Sequence, residues 1–432
     1  MKSLVTALIV FGLLFGFSAA VLGSETRVET MGMGTFYAYN VPLQSFNSII
    51  KDEYNIGMYP ASINSFSNYF FAEISRMNDA VPSGYGYPGT FYKAGAIFKL
   101  GPTEKPWYLG AHFSSMRYFH SLYGFGNYYW DGGATHKLNL YYGRKLGDTP
   151  FGFTFGYYGS GNKNEDTTTA NKYENSLTRY EFGTGLSFLE EKLDLAVQYA
   201  MTSWKDDAYY AAPDKVVEDT KPSGNMDLIL RARYWMDPMG KYTLVPHFAF
   251  MMLNEGMEDY AWNAANAAWE LVYEEKLKNT VFDLGIGVNY DASENVLVAT
   301  DVGFAMVNYK SETDYSDPAV DDEEDKDNFR GLPYFRMGID AYVLKWLDFR
   351  AGVVSASVNY NLKEQNDTVD RTYSWTTTET FLGAGLHWGS LMIDLSLDPE
   401  FILEGPNFLS GQDTDDAYDG LAAKASLTYW FE

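Results

Sequence analysis

Cysteine is absent from the 432 residues. That excludes a disulfide framework, a lipid-anchored cysteine and thiolate metal ligation. Histidine is scarce, with His112, His120, His136, His247 and His387 scattered along the chain. None pairs with a second histidine at metal-ligand spacing, and no serine occupies a nucleophile elbow. Enzymatic activity, a metal and a cofactor are therefore not expected. Positive charge is in deficit: 32 Lys and Arg face 57 Asp and Glu, a formal −25. Such a surface repels nucleic acid. The acidic groups Asp413, Asp415, Asp416 and Asp419 lack the regular spacing and central glycine of a dedicated calcium loop.

Long apolar runs are missing after the N-terminus. Residues 1–23 read as a secretory signal peptide, with Lys2 as the positive start, residues 4–17 as the apolar stretch, and a cut after Gly23 or Ala20. An uncleaved anchor is the alternative, but the apolar stretch is shorter than the ~20 residues a spanning helix needs. An exported chain with no later spanning helix is secreted, periplasmic, or an outer-membrane barrel.

What the chain does have is period-two alternation. Met226, Leu228, Leu230, Ala232 and Tyr234 form one face of a segment whose other face is Asp227, Ile229, Arg231, Arg233 and Trp235. Residues 193–202, 282–290, 335–343 and 391–398 repeat the pattern. The connections alternate in length. Short ones at 100–106, 145–150, 189–192, 236–241, 291–295, 345–346 and 388–390 are interleaved with long polar ones at 117–134, 160–176, 205–225, 254–279, 311–331, 361–374 and 403–420. A transmembrane β-barrel needs about 9–11 residues per strand, tight turns at one end and longer loops at the other. The 35 Tyr, 29 Phe and 10 Trp are enough to supply aromatic girdles at both interfaces. A barrel with apolar residues turned to lipid and polar ones to the lumen accounts for both faces. Fifteen segments follow Phe91, and residues 66–76 complete an even sixteen; fourteen is the alternative. The domain division is a signal peptide at 1–23, a plug or periplasmic segment at 24–65, and an all-β, antiparallel up-and-down barrel at 66–432.

On these features residues 66–432 resemble bacterial outer-membrane β-barrels of the porin type. The final strand, with Leu427, Tyr429 and Phe431 on one face, resembles the signal read by the barrel-assembly machinery. It departs from that pattern because Glu432 follows the terminal aromatic residue. Residues 55–63, Asn-Ile-Gly-Met-Tyr-Pro-Ala-Ser-Ile, are similar to the Asn-Pro-Ala segment in the hatch of long-chain fatty-acid transporters, with Tyr59 in place of the Asn. The resemblance implies an outer-membrane location, both termini in the periplasm, contact with lipid and lipopolysaccharide, and a possible homo-oligomer.

The candidate lumen-lining residues are Arg179, Glu181, Asp194, Asp227, Arg231, Arg233, Asp283, Asp301, Arg336, Asp340, Arg350 and Asp394. They set a selecting field or pair as interior salt bridges. Trp262, Ala265, Trp269 and Val272 recur at helical spacing, with Glu270 beside them. Residues 260–278 are therefore expected to form a helix in an external connection, folded inward as a constriction loop or capping the loops outside. Three functions compete: a cation-preferring channel for passive diffusion of small hydrophilic solutes, a plugged barrel transporting hydrophobic substrates, and a non-conducting scaffold. Inward charges favour the first; an apolar pocket beside the plug would favour the second.

Overall fold

A computed structural model of the chain describes residues 25–33, 36–38, 41–44, 48–66, 68–77, 89–116, 135–165, 172–209, 217–222, 224–263, 268–316, 323–363, 371–397 and 422–431. The expected signal peptide at 1–23, residues 117–134 with His120, and Asp413–Asp419 lie outside these residues.

The barrel strands run β1 (Tyr69–Met77), β2 (Gly89–Leu100), β3 (Trp107–Met116), β4 (Thr135–Leu146), β5 (Thr149–Glu165), β6 (Lys172–Phe188) and β7 (Leu193–Tyr209). Next come β8, interrupted between Val217–Pro222 and Met226–Tyr234, then β9 (Tyr242–Asn263), β10 (Ala268–Ser293), β11 (Val296–Tyr315) and β12 (Glu323–Leu344). The last four are β13 (Leu347–Lys363), β14 (Arg371–Trp388), β15 (Leu391–Leu397) and β16 (Ala422–Trp430). Both pieces of β8 pair with β7 and β9 and form one strand, so the closed antiparallel barrel has sixteen. Closure is made by β16 on β1, from Lys424 opposite Ser75 to Trp430 opposite Tyr69. The segment at 66–76 is thus the missing strand, and both ends of the barrel sequence meet at the short-turn rim. Past the end of β16, the Phe431 N–H donates to the Asn68 carbonyl at 2.8 Å, and the Phe431 ring lies 5.6 Å from that of Phe98.

The alternation decides which face meets lipid. Leu284, Ile286 and Val302 are 45–52% exposed, while their neighbours Asp283 and Asp301 are at most 4% exposed. Trp107, Tyr242, Trp346 and Trp388 are exposed beside the short turns, as an aromatic girdle requires.

Several connections expected to be long loops are strand. β9 and β10 are 22 and 26 residues long, well beyond the span of a bilayer. The expected helix at 260–278 is corrected here. Trp262 stands opposite Trp269, Ala261 opposite Glu270, and the ladder continues to Tyr242 opposite Tyr290. Leu271, Tyr273 and Leu277 also recur at period two, and β11 offers Tyr315 as a partner for Tyr273 on the other side. With strand edges already available on both sides, the ladder outweighs a helical repeat of four residues. Trp262, Trp269 and Glu270 therefore do not form a helical constriction loop.

The N-terminal segment occupies the lumen at the short-turn end. It comprises a short helix (Glu25–Thr30), a two-stranded ribbon (Phe36–Ala38 and Val41–Gln44) and two 3-10 turns (Glu53–Gly57 and Pro60–Ser65). The second 3-10 turn opens on Pro60, whose fixed φ suits a first helical position. Val28, Met31, Met33, Ile49 and Ile50 pack with Trp235, Val245 and Ala299 of the wall. Ile56, Ile63 and Phe66 pack with Tyr69, Ile97 and Tyr108. Inward-facing glycines form the seats. A β-carbon on Gly152 would overlap the Pro60 carbonyl, one on Gly287 would overlap Ile49, and those on Gly338 and Gly352 would overlap Met31.

Two outcomes follow from this arrangement. Replacing lipid-facing Leu284 by Arg is expected to cost about 2–4 kcal/mol, read as a lowered midpoint of urea unfolding in lipid; an unchanged midpoint would contradict the outward assignment. Gly352→Val leaves the ladder intact but occupies the Met31 seat. The variant should keep heat-modifiable migration while residues 25–66 become protease-sensitive, and retained protection would show that the seat does not require glycine.

Candidate functional site in the plugged lumen

The inward charges are engaged mainly with one another and with the N-terminal segment. Arg350 sits among Asp340 at 3.3 Å, Asp348 at 2.6 Å and Asp394 at 2.5 Å. Asp340 also accepts from Arg27 Nε at 2.8 Å, and Arg27 Nη1 reaches Asp52 at 3.3 Å. Asp340 is therefore shared between barrel and plug. Lys424 bridges Glu29 at 3.0 Å and Glu73 at 2.9 Å. Arg233 binds Asp194 at 2.8 Å and lies 4.0 Å from the ring centre of Tyr59. Arg231 donates to Gln198, which in turn donates to the Gly57 carbonyl. Asn64 and Asn289 add side-chain bonds of 2.9 Å to the Phe151 carbonyl and 2.7 Å to the Ile49 carbonyl. Breaking one member of such a buried pair costs about 3–5 kcal/mol, because the partner charge stays behind.

On the long-loop side of the plug the lumen has two unlike walls. The wall of β4–β8 is polar. Arg179 binds Glu181 at 2.9 Å, Asp227 at 2.6 Å and Thr202 at 2.9 Å, and Lys137 reaches Glu181 at 3.4 Å. The wall from β8 to β13 is apolar: Ile229, Ala249, Met251, Leu253, Val281, Ala305, Val307, Tyr334, Val354, Ala356 and Val358 form one cluster, with Trp375 and Phe381 of β14 packed against it. The ribbon strand Val41–Gln44 packs on β10 and β11.

Between this apolar wall and the plug core runs a polar belt one strand step deep. Climbing β9, Val245 touches the plug, His247 is polar, and Ala249 begins the apolar wall. Climbing β11, Ala299, Asp301 and Ala305 repeat the sequence. His247 Nε2 lies 2.9 Å from Asp301 Oδ1, and the Tyr334 hydroxyl donates to Asp283 at 3.0 Å. Arg336 completes the belt and donates from Nη1 to the Met33 carbonyl at 3.3 Å.

All twelve sequence candidates thus point inward; eleven are at most 6% exposed and Glu181 is half-buried. Sequence reasoning missed Arg27, Asp52, Asp348, His247, Tyr334 and Lys424. Arg27 and Asp340 lie 313 residues apart, so no local spacing could have joined them. Of the other histidines, His112 lies 3.1 Å from the Tyr141 hydroxyl, His387 lies 3.0 Å from Asp348, and His136 stacks on Phe113. Among the described residues no group of three His, Cys, Asp or Glu is placed to hold a metal.

In the plug, burial first and the neighbouring Asp52 second push the Glu53 carboxyl well above the ordinary glutamate range. A carboxyl that is neutral when seated and ionises readily when released favours seating in acid. The contribution is full below the free-glutamate pKa of about 4.3. It is lost as pH rises through the elevated value of the seated state. Amide exchange at residues 52–66, corrected for intrinsic rates, should therefore be slower near pH 5 than near pH 8. Glu53→Gln should flatten that difference, and an equal pH dependence in the variant would rule Glu53 out as its source.

No family model and no curated protein sequence matches this chain. Solved structures of related shape include the unliganded ferric citrate transporter FecA, with 10% identity, a TM-score of 0.38, and coverage of 76% of this chain and 59% of that one. The ferric preacinetobactin receptor BauA from Acinetobacter baumannii has 8% identity, a TM-score of 0.41, and coverage of 77% and 54%. The chain thus spans little more than half the length of these two receptors. The Ralstonia pickettii toluene transporter TbuX has 11% identity, a TM-score of 0.37, and coverage of 95% and 99%. Likenesses at this level carry no functional inference. By its own closed ladder, lipid-facing belt and occupied lumen, the chain is an outer-membrane β-barrel of sixteen strands.

Proposed function

We propose that the protein is a plugged transporter that takes small apolar molecules from the long-loop mouth into the lumen. The observation that carries this reading is the apolar wall of β8–β13 standing inside the barrel. Residues such as Met251, Leu253, Val281, Val307 and Val358 are worth about 25 cal/mol per Å² when kept from water. Lining an aqueous pore with them forfeits that gain. A wall of this kind suits a lumen that trades one apolar contact for another, here the cover over β10 and β11 for a ligand. The inward aspartates that suggested a cation-preferring diffusion channel are held by arginine, histidine and tyrosine, which favours the plugged reading. In this reading both termini face the periplasm, the long loops face lipopolysaccharide, Leu427, Tyr429 and Phe431 serve assembly, and no catalytic step is involved.

The test uses the full-length mature protein in lipid nanodiscs with N-phenyl-1-naphthylamine, an apolar fluorophore. Saturable binding is expected, and Val307→Asp should weaken it roughly tenfold or more, the equivalent of 1.4 kcal/mol, while heat-modifiable migration is kept. Absence of saturable binding by the wild type overturns the proposal. So does steady cation-selective conductance of the wild type in a planar bilayer, the behaviour of a passive channel.

A further inference from the structure

On the lipid-facing side of β10–β13, charge appears in an order that repeats from strand to strand. Climbing β10 from Leu284, the outer-face positions are Phe282, Thr280, Lys278, Lys276 and Glu274. On β11 they run Phe304, Met306, Asn308, Lys310, Glu312 and Asp314. On β12, Arg330 stands opposite Met306, Asn328 opposite Asn308, Lys326 opposite Lys310 and Glu324 opposite Glu312. On β13, Asn361 stands opposite Asn328 and Lys363 opposite Lys326. Apolar residues give way to amides and a hydroxyl, then to cations, and acids follow above. The first outer-face charge met on leaving the apolar band is positive on all four strands.

Lys278, Lys310, Lys326 and Lys363 occupy one register row. Like charges directly opposite one another destabilise a sheet. At the same distance from the short turns on β5–β7, the row is Lys163 opposite Glu174 opposite Asp207, with the cation beside a carboxylate. In β10 and β11 one carboxylate, Glu312, serves both Lys278, at 2.8 Å, and Lys310. Lys276 meets Glu274 at 2.9 Å and Asp314 at 3.4 Å. These acids stand on the side away from the membrane. The Lys278 and Lys310 side chains are 52% and 32% exposed, and exposed pairs of this kind are weak enough to exchange partners.

The depth of the row points to the partner. Tyr290, stacked on Tyr242 at 4.7 Å, marks the girdle at the short-turn rim. Strands tilted by about 40° climb about 2.6 Å per residue. Lys278, twelve residues along from Tyr290, is thus roughly 30 Å above it and just clear of the ~25 Å apolar band. The row is about 14 Å long across its three strand spacings, and the tilt inclines it by about 3 Å per strand. A single phospholipid phosphate occupies one point at one depth. A row of this length fits phosphates carried at the two ends of a disaccharide head.

We propose that the outer face of β10–β13 binds a phosphorylated glycolipid of the lipid A type. Its phosphate oxygens accept from the Lys278 and Lys310 ammonium groups and are drawn along the row towards Lys363. Its acyl chains lie on Phe282, Phe304 and Met306. From the reading above the site takes only the orientation, with the long-loop rim in the outer leaflet; the transport of apolar molecules does not enter it.

The experiment titrates the full-length mature protein in neutral detergent with three lipids and counts bound copies by native mass spectrometry. The lipids are bisphosphorylated lipid A, the same lipid A with both phosphates removed, and phosphatidylglycerol. Wild type is expected to bind the bisphosphorylated form roughly tenfold more tightly than either of the others, by charge-assisted bonds. That preference should shrink as salt is raised. The double variant Lys278→Gln with Lys310→Gln should bring the two lipid A forms close to parity. Lys278→Arg with Lys310→Arg should keep the preference, and so should Lys163→Gln. If the double Gln variant loses heat-modifiable migration, Lys363→Gln carries the same comparison with a smaller expected loss, roughly threefold. Equal binding of the two lipid A forms by wild type overturns the proposal. So does an undiminished preference in a heat-modifiable double Gln barrel, and so does equal binding of phosphatidylglycerol, which would make the face a general anionic-lipid contact. Orientation is read separately in the cysteine-free chain: Asp314→Cys should react with a membrane-impermeant maleimide in intact cells. An unlabelled but heat-modifiable barrel overturns the outward rim and the lipid A assignment with it.

Discussion

Inside a bilayer no water completes the backbone hydrogen bonds, so every N–H and C=O of a spanning segment needs a partner within the protein. For this chain the condition is met by pairing each strand with the next and by joining β16 to β1. Closure then imposes the rest of the organisation. One face of every strand meets lipid and must be apolar; the other meets an interior too wide for wall side chains alone to fill. The N-terminal segment is what fills the short-turn half of that interior, and the glycines on the inner face set how closely it approaches.

The interior is built in layers, and each layer solves a different problem. Next to the plug, apolar contacts around Met31, Ile49 and Ile63 exclude water. Around these contacts, Arg27 joins Asp52 of the plug to Asp340 of the wall and Lys424 joins Glu29 of the plug to Glu73 of the wall, while Arg233 and Arg350 pair with carboxylates of the wall itself. Buried pairs of this kind add little net stability over well-packed apolar residues, but unpairing them is expensive. They therefore specify where the plug sits more than they stabilise it. The belt of His247, Asp283, Asp301 and Arg336 separates the seat from the apolar wall beyond it.

The alternation of Met226, Leu228 and Leu230 against Asp227, Ile229 and Arg231 was legible because a strand has only two faces. With one face turned to lipid, the other is assigned without further information. Strand limits were less legible. In β9 and β10 the pairing continues far past the bilayer, and there the residues at 254–279 alternate over charges and aromatics rather than over plain apolar positions. Trp262 and Trp269 fit a helical repeat in isolation; their cross-strand pairing appears only once the neighbouring strands are in place.

The amino-acid sequence by itself determined the all-β class, the inside-out polarity and the inward direction of Arg179, Asp194, Arg336, Arg350 and their companions, because these follow from local period and turn placement. It also marked 24–65 as a stretch outside the barrel pattern. What only the tertiary structure decided was how those inward groups combine. Arg27 with Asp340, Lys424 with Glu29, Pro60 over Gly152 and Arg336 with the Met33 carbonyl all join groups through the closed ring. Periodicity says which way a side chain points; it does not say what stands opposite it across a barrel, because that depends on register and closure summed over all sixteen strands.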